Sequence, residues 1–81
     1  MIRENIYEST MCSELRYIVY IDTAKRPGRL QTGIKFHSFV DKRDYKVNVT
    51  ETLSLEVALD QFFRLCDRME GQGMTLVRAY N

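Results

Sequence analysis

The spacing of apolar residues changes between residues 50 and 55 of this 81-residue chain, and this change constrains the fold more than any other feature of the sequence. From Leu15 to about residue 50, apolar side chains recur at every second position, which is typical of strands with one buried face. Between Leu55 and Met69 they recur with a period close to 3.6, which is typical of an amphipathic helix. The sequence therefore predicts a small two-layer α+β domain in which one helix packs on one face of a sheet.

The alternating segments predict three strands. Their apolar positions are Leu15, Tyr17, Val19 and Ile21 in the first, Leu30, Ile34, Phe36 and Val40 in the second, and Tyr45, Val47 and Val49 in the third. Pro27-Gly28 favours a reverse turn after the first strand, and the charged run 41–44 favours another after the second. The three strands are therefore expected to form an antiparallel meander.

Strand register can be tested against the apolar pattern, because a slip of one residue would turn every side chain to the other face. A turn that closes on Pro27-Gly28 sets Ile21 beside Ile34, and one that closes on residues 41–44 sets Phe36 beside Val49. A longer loop with an even number of residues would change these partners but keep the same facing. Both turns therefore predict one common buried face.

The helix and the flanking segments complete the predicted β-β-β-α-β order. Ser54 is a candidate N-cap of the helix and Gly71 a candidate C-cap. Residues 74–80 alternate again, which predicts a last strand at a sheet edge, parallel to the first and third predicted strands. Residues 1–13 show no clean period, so an extra strand, a short helix and a loose N-terminal arm all remain open.

The predicted core combines the buried strand positions with the helical stripe. It consists of Leu15, Val19, Ile21, Ile34, Phe36, Val49, Leu55, Leu59, Phe62, Leu65 and Cys66. A chain of this size buries enough surface to fold as a single domain, 1–81, with a thin margin, so dimerisation would add stability. The chain holds no apolar run long enough for a membrane span.

The sheet face away from the predicted helix, which we call the open face, is the most informative surface. The predicted registers place three rows there: Arg16, Phe39 and Lys46; Ile18, His37 and Asn48; and Tyr20, Lys35 and Thr50. Apolar and aromatic side chains among basic ones are typical of an interaction surface. Partner-binding residues are therefore predicted to be Arg16, Ile18, Tyr20, Lys35, His37, Phe39 and Lys46. The alternative is that residues 1–13 fold across this face and cover it.

Charge is distributed unevenly although the net charge is only +1. Residues 25–46 hold seven basic residues against two acidic ones, and most of the bases lie in the two predicted turns. These basic hairpin loops contain Lys25, Arg26, Arg29, Lys42 and Arg43. They could contact phosphates or an acidic protein.

No set of residues predicts catalysis, a metal site or a cofactor. His37 is the only histidine, and Cys12 and Cys66 are far apart in sequence. Cys66 lies on the apolar helical stripe, where a thiol stays protonated, so Cys12 is expected to be the more reactive thiol. Gly71-Gln72-Gly73 follows a helix, whereas a phosphate-binding glycine loop precedes one. Two cysteines and a charged N-terminal segment without an apolar stretch favour a reducing, cytoplasmic setting.

These observations predict a non-enzymatic protein-binding module that occludes a partner through its open face and basic hairpin. In size and layout the chain is similar to small phage-encoded inhibitors of host machinery, which implies a viral regulatory protein as one possibility. The partner would be another protein or a second copy in a homodimer, with no membrane and no small-molecule substrate. The alternative is a nucleic-acid-binding protein, because Tyr20 and Phe39 among bases resemble a base-stacking platform.

Overall fold

A computed structural model of the protein, which describes residues 2–11 and 14–80, confirms the α+β class. Its elements are β1 (Arg3–Glu8), β2 (Leu15–Thr23), β3 (Leu30–Ser38), β4 (Arg43–Thr52), α1 (Leu55–Gly71) and β5 (Thr75–Tyr80). The strands form one antiparallel sheet in the order β4-β3-β2-β1-β5, and α1 packs on one face. The helix in this part of the chain, α1, is not long and apolar enough to cross a membrane.

The N-terminal segment supplies a strand that the predicted β-β-β-α-β order lacks. Residues 3–8 form β1, which pairs with β2 on one side and with β5 on the other. They therefore lie within the sheet and do not cross its open face. The last strand occupies the sheet edge next to β1 and runs parallel to β2 and β4, as expected from the sequence.

The β2–β3 register differs from the predicted one, but the facing is the same. Ile21 pairs with Thr32 instead of Ile34, and Val19 pairs with Ile34 instead of Phe36. The strands are joined by the loop 24–29, in which the Ala24 amide donates to the Arg29 carbonyl oxygen at 3.0 Å. This loop holds six residues, an even number, so the same side chains face the helix.

The β3–β4 register also differs, and here the facing changes part of the way along β4. Phe36 pairs with Tyr45 instead of Val49, and Ile34 pairs with Val47. A β-bulge follows, in which residues 48 and 49 of β4 oppose Gly33 of β3, and Asn48 adopts a left-handed φ of 53°. The extra residue turns the rest of β4 over, so a prediction based on strict alternation fails beyond this point.

Two predicted positions are corrected by this bulge. Thr50, predicted to lie on the open face, points to the helix, where its hydroxyl donates to Gln61 Oε1 at 2.9 Å. Val49, predicted in the core, is 41% exposed and has a methyl group beside Gly33 on the other face of the sheet. Both corrections have the same cause, because one inserted residue reverses the alternation.

Helix α1 begins where the sequence predicts and ends slightly later. The Ser54 hydroxyl accepts a hydrogen bond from the Val57 amide at 3.3 Å, which is the geometry of an N-cap. Gly71 was predicted to be the left-handed residue after the helix, but it is the last helical residue. The left-handed position is Gly73, with a φ of 82°. Gln72 intervenes, and its amide donates to the Arg68 carbonyl oxygen.

The core lies between α1 and the centre of the sheet. Its buried cluster is Tyr7, Val19, Ile21, Ile34, Ala58, Phe62, Cys66 and Met69, with Tyr17, Leu30, Leu59, Leu65 and Met74 packed against it. Four predicted core residues lie elsewhere: Leu15 and Phe36 are half-buried, and Val49 and Leu55 are exposed. Leu15 and Phe36 sit toward the end of the sheet near the β3–β4 turn, and Leu55 opens the first turn of α1. The core centres instead on Phe62 and on Tyr7, which β1 contributes.

Candidate functional site

The open face carries the predicted binding residues in a different arrangement from the predicted rows. Arg16 pairs across the strands with His37 and then Asp44, and Ile18 pairs with Lys35 and then Lys46. Phe39 lies just beyond the end of β3, beside His37 and Arg16. Arg16 is held from the other side by Glu8 of β1, at 3.0 Å.

Tyr20, at the centre of the open face, is buried although no helix covers it. It lies opposite Gly33, and a Cβ atom at that glycine would lie 3.1 Å from the Tyr20 hydroxyl. That hydroxyl donates to Gln31 Oε1 at 3.0 Å. The ammonium groups of Lys35 and Lys46 lie 5.7 and 5.5 Å from the ring centroid. Tyr20 is therefore only 3% exposed, and burial raises the pKa of its hydroxyl.

The expectation that the centre of the open face presents an apolar patch is consequently wrong. Ile18 is 9% exposed, because it lies between Ile6 of β1 and the long side chain of Lys35 in β3. The stems of such side chains cover apolar groups while their charged ends stay in water. The groups that cover Tyr20 from β3 and β4 are therefore cationic, whereas Glu4 of β1 lies beside Tyr20 on the other side.

The exposed apolar groups of this region lie at the β3–β4 turn, residues 38–45, which we call the hairpin tip. Phe39 is 47% exposed and Val40 is 69% exposed. The Phe39 ring contacts the edge of the His37 ring, with centroids 4.9 Å apart, and the Arg16 guanidinium lies 5.3 Å from its centroid. The Phe39 amide donates to the Glu14 carbonyl oxygen at 2.9 Å. The exposed ring of Phe39 thus contacts two side chains, and its backbone is held by a hydrogen bond.

The rest of the hairpin tip is tied by short polar contacts. The Tyr45 hydroxyl donates to Asp41 Oδ2 at 2.6 Å, and His37 Nδ1 lies 2.7 Å from Asp44 Oδ1. The hydrogen bond from Tyr45 lowers the pKa of the Asp41 carboxyl, and the same contact raises the pKa of the Tyr45 hydroxyl. Lys42, at the turn, adopts a left-handed φ of 57°. These contacts make the tip a preorganised loop.

The two basic loops predicted from the sequence lie at opposite ends of the sheet. Lys42 and Arg43 belong to the hairpin tip, next to Phe39 and Val40. Lys25, Arg26 and Arg29 lie in the loop 24–29, where β2 ends and β3 begins. The structure therefore places Arg16, His37, Phe39, Lys42 and Arg43 at one end of the sheet. The bases of the loop 24–29 lie at the other end.

Sequence reasoning missed Val40, Asp41 and Tyr45 as parts of the hairpin tip. The parity of Val40 predicts a strand position, and the charged run 41–44 predicts only a turn role for Asp41. Tyr45 was placed in a strand, and its aromatic ring does stack on Phe36 with centroids 5.3 Å apart. The spacing of Asp41 and Tyr45 across a tight turn was the available signal for their hydrogen bond.

The groups that could carry chemistry lie apart from this surface. Cys66 is buried in the core, where the Asn5 side-chain amide donates to its sulfur at 3.4 Å, and burial raises the pKa of the thiol. The Tyr7 hydroxyl lies in the same region, and burial raises its pKa as well. Cys12, the thiol expected to be reactive, lies outside the described residues. Within residues 2–11 and 14–80, no group of three or more His, Cys, Asp or Glu side chains could hold a metal ion.

Comparison with known proteins adds no assignment to this geometry. No family model matches the chain, no curated protein matches it, and no solved structure matches it.

Proposed function

We propose that this protein is a non-enzymatic protein-binding module, a small cytoplasmic regulator or inhibitor that occludes part of its partner. The contact surface is the hairpin tip together with the adjoining part of the open face. The observation that carries the proposal is the exposure of Phe39 and Val40 on a loop held by its own contacts.

The energetics of binding favour such a site. Burying an exposed aromatic and an aliphatic side chain releases water, and a loop that is already ordered loses little conformational entropy on binding. Aromatic and arginine side chains dominate the binding energy of protein interfaces. Phe39 with Arg16 across its ring is such a pair. Lys42 and Arg43 at the rim would speed the encounter with an acidic partner.

The geometry gives less support to nucleic-acid binding, the alternative from the sequence. A base-stacking platform needs exposed ring faces, and Tyr20 lies beneath Lys35 and Lys46. The basic loops at opposite ends of the sheet also do not form one continuous track for a phosphate backbone. Within the described residues, the exposed aromatic rings on this face are Phe39 at the hairpin tip and Tyr80 of β5 at the far edge of the sheet, so they do not form one platform.

The test is affinity capture from extracts of the cells in which the protein occurs, with and without nuclease, followed by mass spectrometry. The bait is the wild-type chain, the double variant Phe39→Ala, Val40→Ser, or the control Leu53→Ser. Leu53 is 70% exposed and lies between β4 and α1, away from the tip. We expect a nuclease-resistant protein partner, or a second copy of the chain, that the control retains and the double variant loses.

Thermal melting of the three baits checks that each is folded. A partner that the double variant binds as well as the wild type would contradict the proposed surface. Capture that disappears with nuclease would support nucleic-acid binding instead.

A further inference from the structure

The bulge in β4 opens a groove between this strand and α1. The groove has a volume of about 320 Å³ and is lined by residues 48–50 of β4 and by Gln61, Arg64, Leu65 and Arg68 of α1. We call it the β4 groove. Asn48 at its edge has the left-handed φ of the bulge, and bulges that redirect a strand are frequent beside binding sites. Thr50 and Gln61 join the two walls through a 2.9 Å hydrogen bond.

The charge of the β4 groove is one-sided. Two arginines, Arg64 and Arg68, stand one helical turn apart on its wall, and no carboxylate side chain lines it. Arg64 Nε contacts Asp60 at 3.1 Å, and this pair is largely exposed to solvent. Arg68 has no ion pair within the described part of the chain. The groove is therefore complementary to an anionic ligand.

The β4 groove continues into an apolar strip on the same face of the sheet. Val47 and Tyr45 pair with Ile34 and Phe36 of β3, so they face the helix side, and both are exposed. A ligand that follows β4 thus meets apolar side chains first and arginines next. A ligand strand cannot form backbone hydrogen bonds along the whole of β4, because the bulge interrupts the row of free amides and carbonyls at this edge. Side chains must supply the recognition.

We infer that the β4 groove binds an acidic, extended segment of the partner protein. Its carboxylates would contact Arg64 and Arg68, and an apolar side chain beside them would pack on Val47. The inference rests on the proposed function, because it assumes that the ligand is a protein. It adds a second contact, on the face of the sheet opposite the open face.

The experiment titrates the ¹⁵N-labelled full chain with a six-residue peptide of three valines followed by three glutamates, capped at both ends. A matched peptide of three valines followed by three lysines is the control ligand. We expect the acidic peptide to shift the amide signals of residues 48–50 and the side-chain amide of Gln61, and the basic peptide to leave them unchanged. Arg68→Gln should weaken the acidic peptide about fivefold, as expected for one exposed ion pair. Arg64→Gln together with Arg68→Gln should abolish the shifts.

Arg78→Gln is the matched control variant, because Arg78 lies on β5 at the other edge of the sheet and should leave peptide affinity unchanged. Phe39→Ala should also bind the peptide like the wild type. A wrong assignment of the hairpin tip and a wrong assignment of the β4 groove are therefore distinguishable. Shifts that survive the double arginine substitution would overturn the inference. Tighter binding of a single-stranded oligonucleotide than of the acidic peptide at residues 48–50 would overturn it too.

Discussion

Gly33 and Tyr20 show how one small residue shapes the open face. The glycine lies in β3 opposite the bulge of β4, and the tyrosine hydroxyl occupies the space above it. A Cβ atom at position 33 would lie 3.1 Å from that hydroxyl, 3.2 Å from Val49 Cγ2 and 3.3 Å from the Val47 carbonyl oxygen. Any larger residue at this position must displace Tyr20 or β4.

We therefore predict that Gly33→Ala lowers the free energy of unfolding by about 1–3 kcal/mol, as overpacking does in other proteins. Gly71→Ala is the control, because a Cβ atom there meets no atom within 4 Å and alanine favours a helix. Urea denaturation of both variants measures the difference. Equal stability of Gly33→Ala and the wild type would mean that Tyr20 does not occupy this space.

Asp41 and Tyr45 give the hairpin tip a dependence on pH. The pKa of Asp41 is lower in the folded chain than its ordinary value of about 3.9 because the Tyr45 hydroxyl donates to the carboxylate. A lowered folded-state pKa means that the contact stabilises the tip above that ordinary value. The stabilisation is lost as the pH falls through the lower, folded-state pKa.

Removing the hydroxyl tests this contact directly. We predict that Tyr45→Phe raises the pKa of Asp41 toward the ordinary value, as followed by NMR titration of the carboxyl carbon. The ring, which stacks on Phe36, is retained, so the sheet should keep its fold. An unchanged pKa for Asp41 in this variant would show that another donor holds the carboxylate.

At the scale of elements, α1 contributes to stability through one narrow stripe. Ala58, Phe62, Cys66 and Met69 are its buried residues, and they pack on the centre of the sheet. Phe62 is fully buried, whereas the neighbouring Phe63 is exposed and contacts Arg3 of β1 through its ring face. The helix is thus held along most of its length, from Ala58 to Met69.

Phe62→Ala is accordingly predicted to cost about 3–5 kcal/mol, a large part of the stability of a domain this size. Phe36, which the sequence also predicts in the core, is half-buried, so Phe36→Ala should cost less than Phe62→Ala. Val57→Ala, an exposed position on the same helix, is the control. Calorimetric melting of the three variants ranks them, and a melting temperature for Phe62→Ala near that of the control would contradict the assigned core.

Both edge strands carry an irregularity that limits pairing with other chains. β4 has its bulge at residues 48 and 49, and β5 has one at residue 77, where the register with β1 shifts. Bulges twist an edge and interrupt the row of free amides and carbonyls. We therefore expect partners to bind to a face of the sheet or to the hairpin tip, and not to add a strand at either sheet edge.

At the scale of the whole molecule, the bases of the two hairpin loops form two separate groups. Lys42 and Arg43 lie at the hairpin tip, whereas the loop 24–29 carries its bases at the other end of a molecule 37 Å long. That separation exceeds the Debye length of about 8 Å at physiological ionic strength. Only the group at the contact surface can steer a partner that binds there.

We predict that Lys42→Ala with Arg43→Ala slows association with the captured partner and weakens its salt dependence. Lys25→Ala with Arg29→Ala, which removes the same charge at the far end, should change neither. Dissociation rates should be nearly equal in both variants, since rim charges act mainly on encounter. Surface plasmon resonance at two ionic strengths measures these rates, and equal effects of the two pairs would contradict binding at the tip.

The sequence by itself determined the fold class, the helix and the facing of most strands, because these depend on local periodicity. Val19, Ile21 and Ile34 lie in the core as predicted, and the N-cap at Ser54 is confirmed, since capping and alternation involve residues near in sequence. An even-numbered loop preserves facing whatever its length, so the shifted β2–β3 register did not disturb this prediction.

Only the tertiary structure decided the place of β1, the bulge in β4 and the burial of Tyr20. β1 shows no clean apolar period, because Arg3 and Asn5 occupy two of its helix-facing positions and only Tyr7 there is apolar. The bulge reverses alternation at residues 48 and 49 without a proline or glycine in β4 to mark it. Tyr20 is covered by side chains that come from two other strands, and contacts between residues distant in sequence leave no periodic signal.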